Sequence, residues 1–557
     1  RSHASWGSQD DVVLCFVNQD AYDKYRLNKE DYELLKELEK EQKKEADKKK
    51  EADKKKDDKK ADDKKADDKK KDEVKAVNVE LDGIEDRIVR LTPNSSSIAS
   101  AMLTNDGENL YYLSKFEGGF DLWKLDMRKH STKLINKMNS GSAHMQMSKD
   151  GKEIFVLGGT MNKLTVAGDK LTPITYQGTF KMDLAAEREY MFEHVHRQVS
   201  KRFYNLNFHG VNWDALTEVY RKFLPHINNN YDFANLLSEY LGELNVSHTG
   251  GRFYPTSGEA TACLGLLFDM NYTGKGLKVD EVLAKGPFGK STSKVKPGVI
   301  VEKINGTAIE GENDYSILLA GLTGKKTLVS LYDPKGGNRW DEVILPISKG
   351  AQNDLLYTRW VKHNAHVVDS ISGGRLGYVH IKSMNDESYR EVYSQVMGKY
   401  YKKDGIVIDV RFNGGGRLHE DIEVLFSGKK YFTQVIRGRE ACDMPSRRWN
   451  KPSIMITAEA CYSNAHGTPW VYQHQGLGKI VGMPVPGTMT SVSWETLQDN
   501  SLIFGIPIIG YRLPDGSYLE NTQLEPDVKV ANDPAEAVKG QDAQLKAAVL
   551  ELLKECK

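Results

Sequence analysis

The sequence predicts a multidomain α+β protein whose chemistry lies in a C-terminal α/β domain. Three observations lead there. The 557 residues exceed what a single hydrophobic core organises, so about three or four domains are expected. The hydrophobic period changes along the chain, from alternation to helical spacing, then to short strands, then to strands alternating with helices. Finally, two buried-strand patterns end in unusual turns. Ile406-Val407-Ile408-Asp409-Val410 runs into Arg411-Phe412-Asn413-Gly414-Gly415-Gly416, and Pro452-Ser453-Ile454-Met455-Ile456-Thr457 runs into Ala460-Cys461-Tyr462-Ser463-Asn464-Ala465. A glycine turn that bares backbone N–H groups, beside a turn that presents one serine, is what acyl transfer needs.

Composition narrows the class. The formal net charge is +0, so overall charge points neither to nucleic acid nor to an anionic membrane. Hydrophobic residues make up 39%, and no stretch approaches the roughly 18 apolar residues of a membrane span. The five cysteines, Cys15, Cys263, Cys442, Cys461 and Cys556, are scattered and lack CxxC spacing. That argues against a disulfide framework or a zinc site and favours a reducing, cytoplasmic compartment. Arg1 to Ser8 has neither an initiating Met nor an apolar signal core and reads as a cut end or an expression scar, which leaves an extracytoplasmic location open.

Residues 1–38 are read as a propeller fragment, followed at 39–77 by a charged low-complexity segment such as Lys54-Lys55-Lys56-Asp57-Asp58-Lys59-Lys60-Ala61. With almost no apolar residues it cannot bury a core, so a solvated loop or frayed helix is expected. Residues 78–180 are all-β in pattern. Leu103-Thr104-Asn105-Asp106-Gly107 is echoed by Met147-Ser148-Lys149-Asp150-Gly151, about 44 residues on, which is β-propeller blade spacing. Two blades cannot close a ring, so the propeller is partial. Residues 181–260 carry helical spacing, as in Met191 to Val199 and Tyr231 to Leu241.

Residues 261–350 return to short strands. Leu264-Gly265-Leu266-Leu267-Phe268-Asp269 resembles the carboxylate-binding loop of a PDZ domain, and Gly298 to Ile309 resembles a second PDZ segment. PDZ domains capture extended peptides along a sheet edge; a small β-barrel spacer is the alternative. Residues 351–535 alternate strands and helices, and 536–557 form a C-terminal helix.

This order of helical domain, PDZ-like domain, Asn-Gly-Gly-Gly turn and serine elbow resembles the core of the tricorn-type serine proteases, within the larger C-terminal-processing-protease family. Propeller blades upstream fit the same type, and the resemblance covers roughly residues 90–535. It implies a serine peptidase that hydrolyses peptides or unfolded polypeptide, forms a homo-oligomer, and uses neither metal nor organic cofactor. Ser463 is then the nucleophile. Family members of the Ser/Lys type carry a lysine about 25 residues after it. Here that region reads Pro486-Gly487-Thr488-Met489-Thr490, and Lys479 nearby lies in a strand pattern.

The tricorn type instead takes a histidine from the helical domain. Carried over, His248 is the base, Ser247 its polar neighbour and Glu520 the carboxylate behind them, with Glu525 close enough to be confused with it. The oxyanion donors are the N–H of Asn464 and that of Gly414 or Gly415. Lys479 is the rival base, and a catalytically inactive peptide-binding scaffold is the rival function. His419 and His466 flank the turns and are expected to be structural. The residues after Ser463 depart from the small acidic pattern usual in the family, and Pro469 is expected to shorten or kink the following helix. Asp443 and Glu440 are candidates for accepting a basic substrate side chain, with Arg437, Arg447 and Arg448 near enough in sequence to neutralise them.

Overall fold

The two Asp-Gly turns close matching hairpins. In each, the Asp carboxylate accepts the hydroxyl of the residue two before it and the N–H of the residue two after it: Thr104 and Glu108 at Asp106, Ser148 and Lys152 at Asp150. Gly107 and Gly151 sit at φ 73° and 70°, conformations that glycine adopts without strain. In the computed structural model, which describes residues 9–57, 77–255, 258–310 and 314–556, these hairpins belong to a compact unit that ends at Phe180.

That unit holds two four-stranded antiparallel sheets, each in simple chain order. One runs Ser97–Leu103, Asn109–Lys115, Phe120–Asp126, Ser131–Ser140, and the other His144–Met147, Glu153–Gly158, Thr160–Thr165, Lys170–Pro173. The strands on either side of the charged run, Val13–Cys15 and Ile88–Arg90, pair with one another. The described part of the run takes the helical one of the two expected forms: Lys29–Asp57 is one helix. Lys and Glu are strong helix formers, and pairs such as Lys29 with Glu33 fall one turn apart. Tyr32 and Lys36 anchor the helix to Glu108. The remainder of the run at 58–76, and the N-terminal residues 1–8, lie outside the described residues.

The second unit begins at Lys181. Helices Leu184–Arg202, Trp213–Arg221 and Asn230–Gly242 start at Asp183, Asn212 and Asn229, whose side chains accept free N–H groups of the first turn. Phe192, Trp213, Phe233, Leu237 and Tyr240 form their core, and Leu502, Phe504 and Ile506 complete it. Those three lie in strand Leu502–Gly510, which pairs with Thr490–Thr496 on one side and Gly250–Phe253 on the other. Residues 490–510, expected within the α/β region, therefore share a core with the helices.

Residues 266–344 form an antiparallel sheet around Val299, Val301, Val329 and Leu331. The C-terminal sheet is parallel, in the order Leu376–His380, Gly405–Asp409, Ser453–Thr457, Lys479–Gly482, Val528–Lys529. Its two central strands, 405–409 and 453–457, are buried along their whole length, as their unbroken apolar patterns predict. Helix Ala543–Glu555 packs Leu545, Val549 and Leu552 into this core. Among the described residues no helix is long and apolar enough to cross a membrane.

Where strand 405–409 ends, Arg411 folds back on Asp409 at 2.7 Å, both side chains being almost wholly buried. Burial alone would raise the Asp409 carboxyl, but the adjacent guanidinium outweighs it and holds the pKa below the ordinary value. Arg411 also reaches Asp542 and Gln544 at the start of the last helix, and Tyr378 donates to Asp409. Removing Asp409 takes away the fully buried half of the pair and leaves the Arg411 guanidinium only Asp542 as a charged partner. We expect Asp409→Ala to cost about 3–5 kcal/mol of unfolding free energy, read from urea denaturation.

Candidate active site

Strand Ser453–Thr457 and helix Asn464–His474 are joined by a turn whose last residue is Ser463. Ser463 has φ 58° and ψ −124°, a conformation that side chains rarely adopt, and it caps the helix without using its hydroxyl. The helix does not shorten at Pro469 but runs through it. Proline removes one backbone bond in the second turn, while Asn464 to Thr468 are all buried and packed, so the rest of the segment holds the helix.

The glycine turn lies against this elbow. Tyr462 N–H donates to the Asn413 carbonyl, and the Asn464 side-chain oxygen accepts the N–H groups of Leu418 and His419. A Cβ on Gly415, which has φ 100°, would stand 2.4 Å from Ser463 Cβ, so only glycine fits there. Of the three amides expected as donors, that of Gly415 is taken: it donates to Asn413 Oδ1 at 2.8 Å. Ser463 N–H is taken as well, by Thr488 Oγ1 at 2.9 Å. Among the described residues the N–H groups of Gly414 and Asn464 have no partner.

Ser247 and His248 arrive from the end of the helical region. His248, at φ 64°, directly precedes the Gly250–Phe253 strand, and its backbone N–H donates to Tyr462 Oη at 2.7 Å. The two rings lie 4.7 Å apart between centroids. Gly505 on the facing strand makes room, since a Cβ there would stand 2.5 Å from the His248 carbonyl oxygen. His248 Nδ1 is 2.7 Å from Ser247 Oγ, and Ser247 donates its hydroxyl to Glu520 at 3.0 Å and its N–H to the same carboxylate at 2.5 Å. The Ser247 proton goes to the carboxylate, so Nδ1 must supply the proton between itself and Ser247. That leaves Nε2 unprotonated.

Among the described residues Ser463 Oγ makes no hydrogen bond; the serine and the histidine adjoin through Tyr462.

Other candidates fall elsewhere. Lys479 pairs with Glu551 and Glu555, each at 3.5 Å, on the last helix. Glu525 pairs with Gln523 and Lys529. Asp443 is occupied by Lys430. His419 bonds the Asn464 amide. His466 is fully buried and accepts Thr488 N–H on Nδ1.

Burial lowers the pKa of His248, and that of His466, to about 4. Burial also raises that of Glu520, against the N–H and hydroxyl of Ser247. The unfolded chain therefore binds more histidine protons than the folded one between pH ~6.5 and ~4. Stability from these two groups is present above ~6.5 and is lost as the pH falls through that window, with one carboxyl acting in the opposite sense. The urea midpoint should drop across it, and the drop should be shallower in His466→Gln.

The same architecture occurs in known proteins. Residues 184–242 match the tricorn protease C1 domain, and residues 375–530 match peptidase family S41. Tricorn protease homolog 1 of Streptomyces coelicolor is 24% identical over 513 residues, covering 85% of this chain and 47% of its own length. The tricorn protease of Thermoplasma acidophilum is 25% identical over 504 residues, covering 84% and 44%. The crystal structure of the tricorn protease superposes with a TM-score of 0.73 at 19% identity, over 86% of this chain and 49% of that one, which establishes a shared fold. The chain spans about half the length of the curated relatives it matches. Over most of its length the chain is thus similar to the tricorn protease, with its matches to the C1 and S41 peptidase models in that order along the chain.

Proposed function

We propose that the chain is a serine peptidase that cleaves peptides or unfolded polypeptide, with Ser463 as nucleophile and His248 as general base. The observation that carries this is the unbroken run from Glu520 through Ser247 to His248 Nδ1, which leaves Nε2 free beside the serine elbow. Substrate binding brings Ser463 Oγ to Nε2. The hydroxyl proton passes to Nε2 as Oγ attacks the scissile carbonyl carbon, and the imidazolium is held through Ser247 by the Glu520 carboxylate. The oxyanion is received by the N–H groups of Gly414 and Asn464, the second at a helix N-terminus. Nε2 then gives its proton to the leaving amine, and a water repeats the sequence to release the acyl group.

Around this core we read residues 78–180 as partial β-propeller blades, 181–260 together with 490–510 as the helical domain, 261–350 as a PDZ-like domain and 351–535 as the rest of the catalytic domain. In this reading the blades and the PDZ-like sheet guide extended chains, and the protein assembles as a homo-oligomer, which light scattering measures directly.

A fluorophosphonate should label wild type on Ser463, and Ser463→Ala should neither label nor turn over peptides; equal turnover by the two would sink the proposal, and peptide binding without turnover in wild type would favour a scaffold. His248→Ala should lower kcat about 10²–10⁴-fold, whereas Lys479→Ala stays near wild type. Because burial depresses the base to about 4, activity should persist well below the ordinary imidazole value of ~6.5, with the acid limb of kcat/KM nearer 4.

A further inference from the structure

Thr490 stands where the base is oriented, yet it belongs to none of the groups assigned above. Its side chain is almost completely buried. Thr490 Oγ1 lies 3.1 Å from His248 Nδ1, 3.2 Å from Ser247 Oγ and 3.5 Å from the Ser247 carbonyl oxygen. The hydroxyl's own proton has an acceptor in that carbonyl, so its lone pairs face the imidazole. The Nδ1 proton consequently points between two hydroxyl oxygens, those of Ser247 and Thr490, rather than at one.

The placement of Thr490 is fixed from both directions. It opens strand Thr490–Thr496, whose partner strand 502–510 also pairs with the segment just after His248. Two residues earlier, Thr488 accepts the Ser463 N–H on its hydroxyl and donates its own N–H to His466. In an extended chain, residues two apart point the same way and lie about 6–7 Å apart. One short segment thus holds the nucleophile's amide with Thr488 and the base's ring with Thr490.

We propose that Thr490 is a positioning residue for the general base. Together with Ser247 it traps the Nδ1–H tautomer of His248, so that Nε2 meets the substrate unprotonated and the ring does not swing away from Ser463. The proposal rests on the serine-peptidase reading for its kinetic consequence, though not for its spectroscopic one. Thr490 touches neither substrate nor reacting atoms, and its influence passes through His248. A neutral imidazole with one acceptor at Nδ1 rotates and exchanges tautomers more freely than one with two.

Three variants and one spectrum test this. Thr490→Val keeps the volume and removes the oxygen, Thr490→Ser keeps the oxygen, and Thr490→Ala serves if the valine variant does not fold. We expect kcat on a fluorogenic peptide to fall on the order of ten- to a hundredfold in Thr490→Val or Thr490→Ala, with KM within about twofold, and Thr490→Ser to recover most of it. In nitrogen-15 spectra of histidine-labelled protein, His248 should be the Nδ1–H tautomer in wild type and Thr490→Ser, and a tautomer mixture in Thr490→Val. An unchanged kcat in a folded valine variant, a loss carried by KM, failure of the serine variant to rescue, or the same tautomer in all forms would overturn the proposal. If wild type itself turns over no better than Ser463→Ala, the peptidase reading falls, and the tautomer spectra still decide whether Thr490 orients the imidazole.

Discussion

A buried guanidinium organises the end of the sheet on which the site is built. Arg411 is the second residue past strand 405–409, and it turns back to grip Asp409 while reaching forward to Asp542 and Gln544. Isolated charges in such surroundings are costly, and the pair is tolerable because nearly every donor and acceptor is matched. The result is a rigid exit from the strand. Phe412, next in sequence, can then hold φ 63°, and Asn413 can aim its side chain at Gly415 N–H and the Ile381 carbonyl. Strain of this kind persists only where the surroundings over-determine it. Ser463, His248 and Asn521 also take positive φ.

The second constraint is the way Ser247 and His248 reach the serine elbow. Ser247 and His248 come from one end of a helical core, and Ser463 from a parallel sheet more than two hundred residues later in the chain. What joins them is the antiparallel pair Thr490–Thr496 and Leu502–Gly510. It leaves the sheet region, supplies Leu502, Phe504 and Ile506 to the helical core, and pairs with the strand that follows His248. Burying those side chains contributes a few kcal/mol each, far more than a lone hydrogen bond across the site. The hydrogen bonds among Ser247, Thr490 and Glu520 therefore tune a geometry that apolar packing has already set.

Much of this was legible in the sequence. The two apolar runs gave the central strands because parallel strands buried on both faces read as unbroken hydrophobic stretches, and the paired Asp-Gly turns gave matching hairpins because their chemistry is local. The serine elbow and the Ser247-His248 pair were visible as short motifs. Other features depend on partners far away in the chain. Nothing in the local period of residues 490–510 says that they pair with residues 250–253, and no motif marks Thr488 or Thr490, since a threonine at the start of a strand is ordinary. The charged run stayed open between loop and frayed helix, because low apolar content excludes a core without excluding a helix. Pro469 misled because the breaking tendency of proline was weighed without the packing of the turn around it.

The least legible step was the allocation of amides. Four backbone N–H groups lie in the turns around the serine, those of Gly414, Gly415, Ser463 and Asn464; the sequence pointed to Asn464 and to one of the two glycines without deciding between Gly414 and Gly415. Side chains make the selection. Asn413 occupies the Gly415 amide and Thr488 occupies that of Ser463. An amide that already has a partner must break that bond before it can bind an oxyanion, whereas an unpartnered one, fixed in place, needs no reorganisation as charge develops. Gly414 and Asn464 meet that condition, and they lie on opposite turns, one at each strand end. In the proposed mechanism the oxyanion site thus requires the glycine turn and the serine elbow to be held in register. The Asn464 side chain does this by accepting the N–H groups of Leu418 and His419, while its backbone N–H stays free for the oxyanion. The Asn464 side chain also donates to His419, so register between the two turns is held without a charge beside the proposed oxyanion.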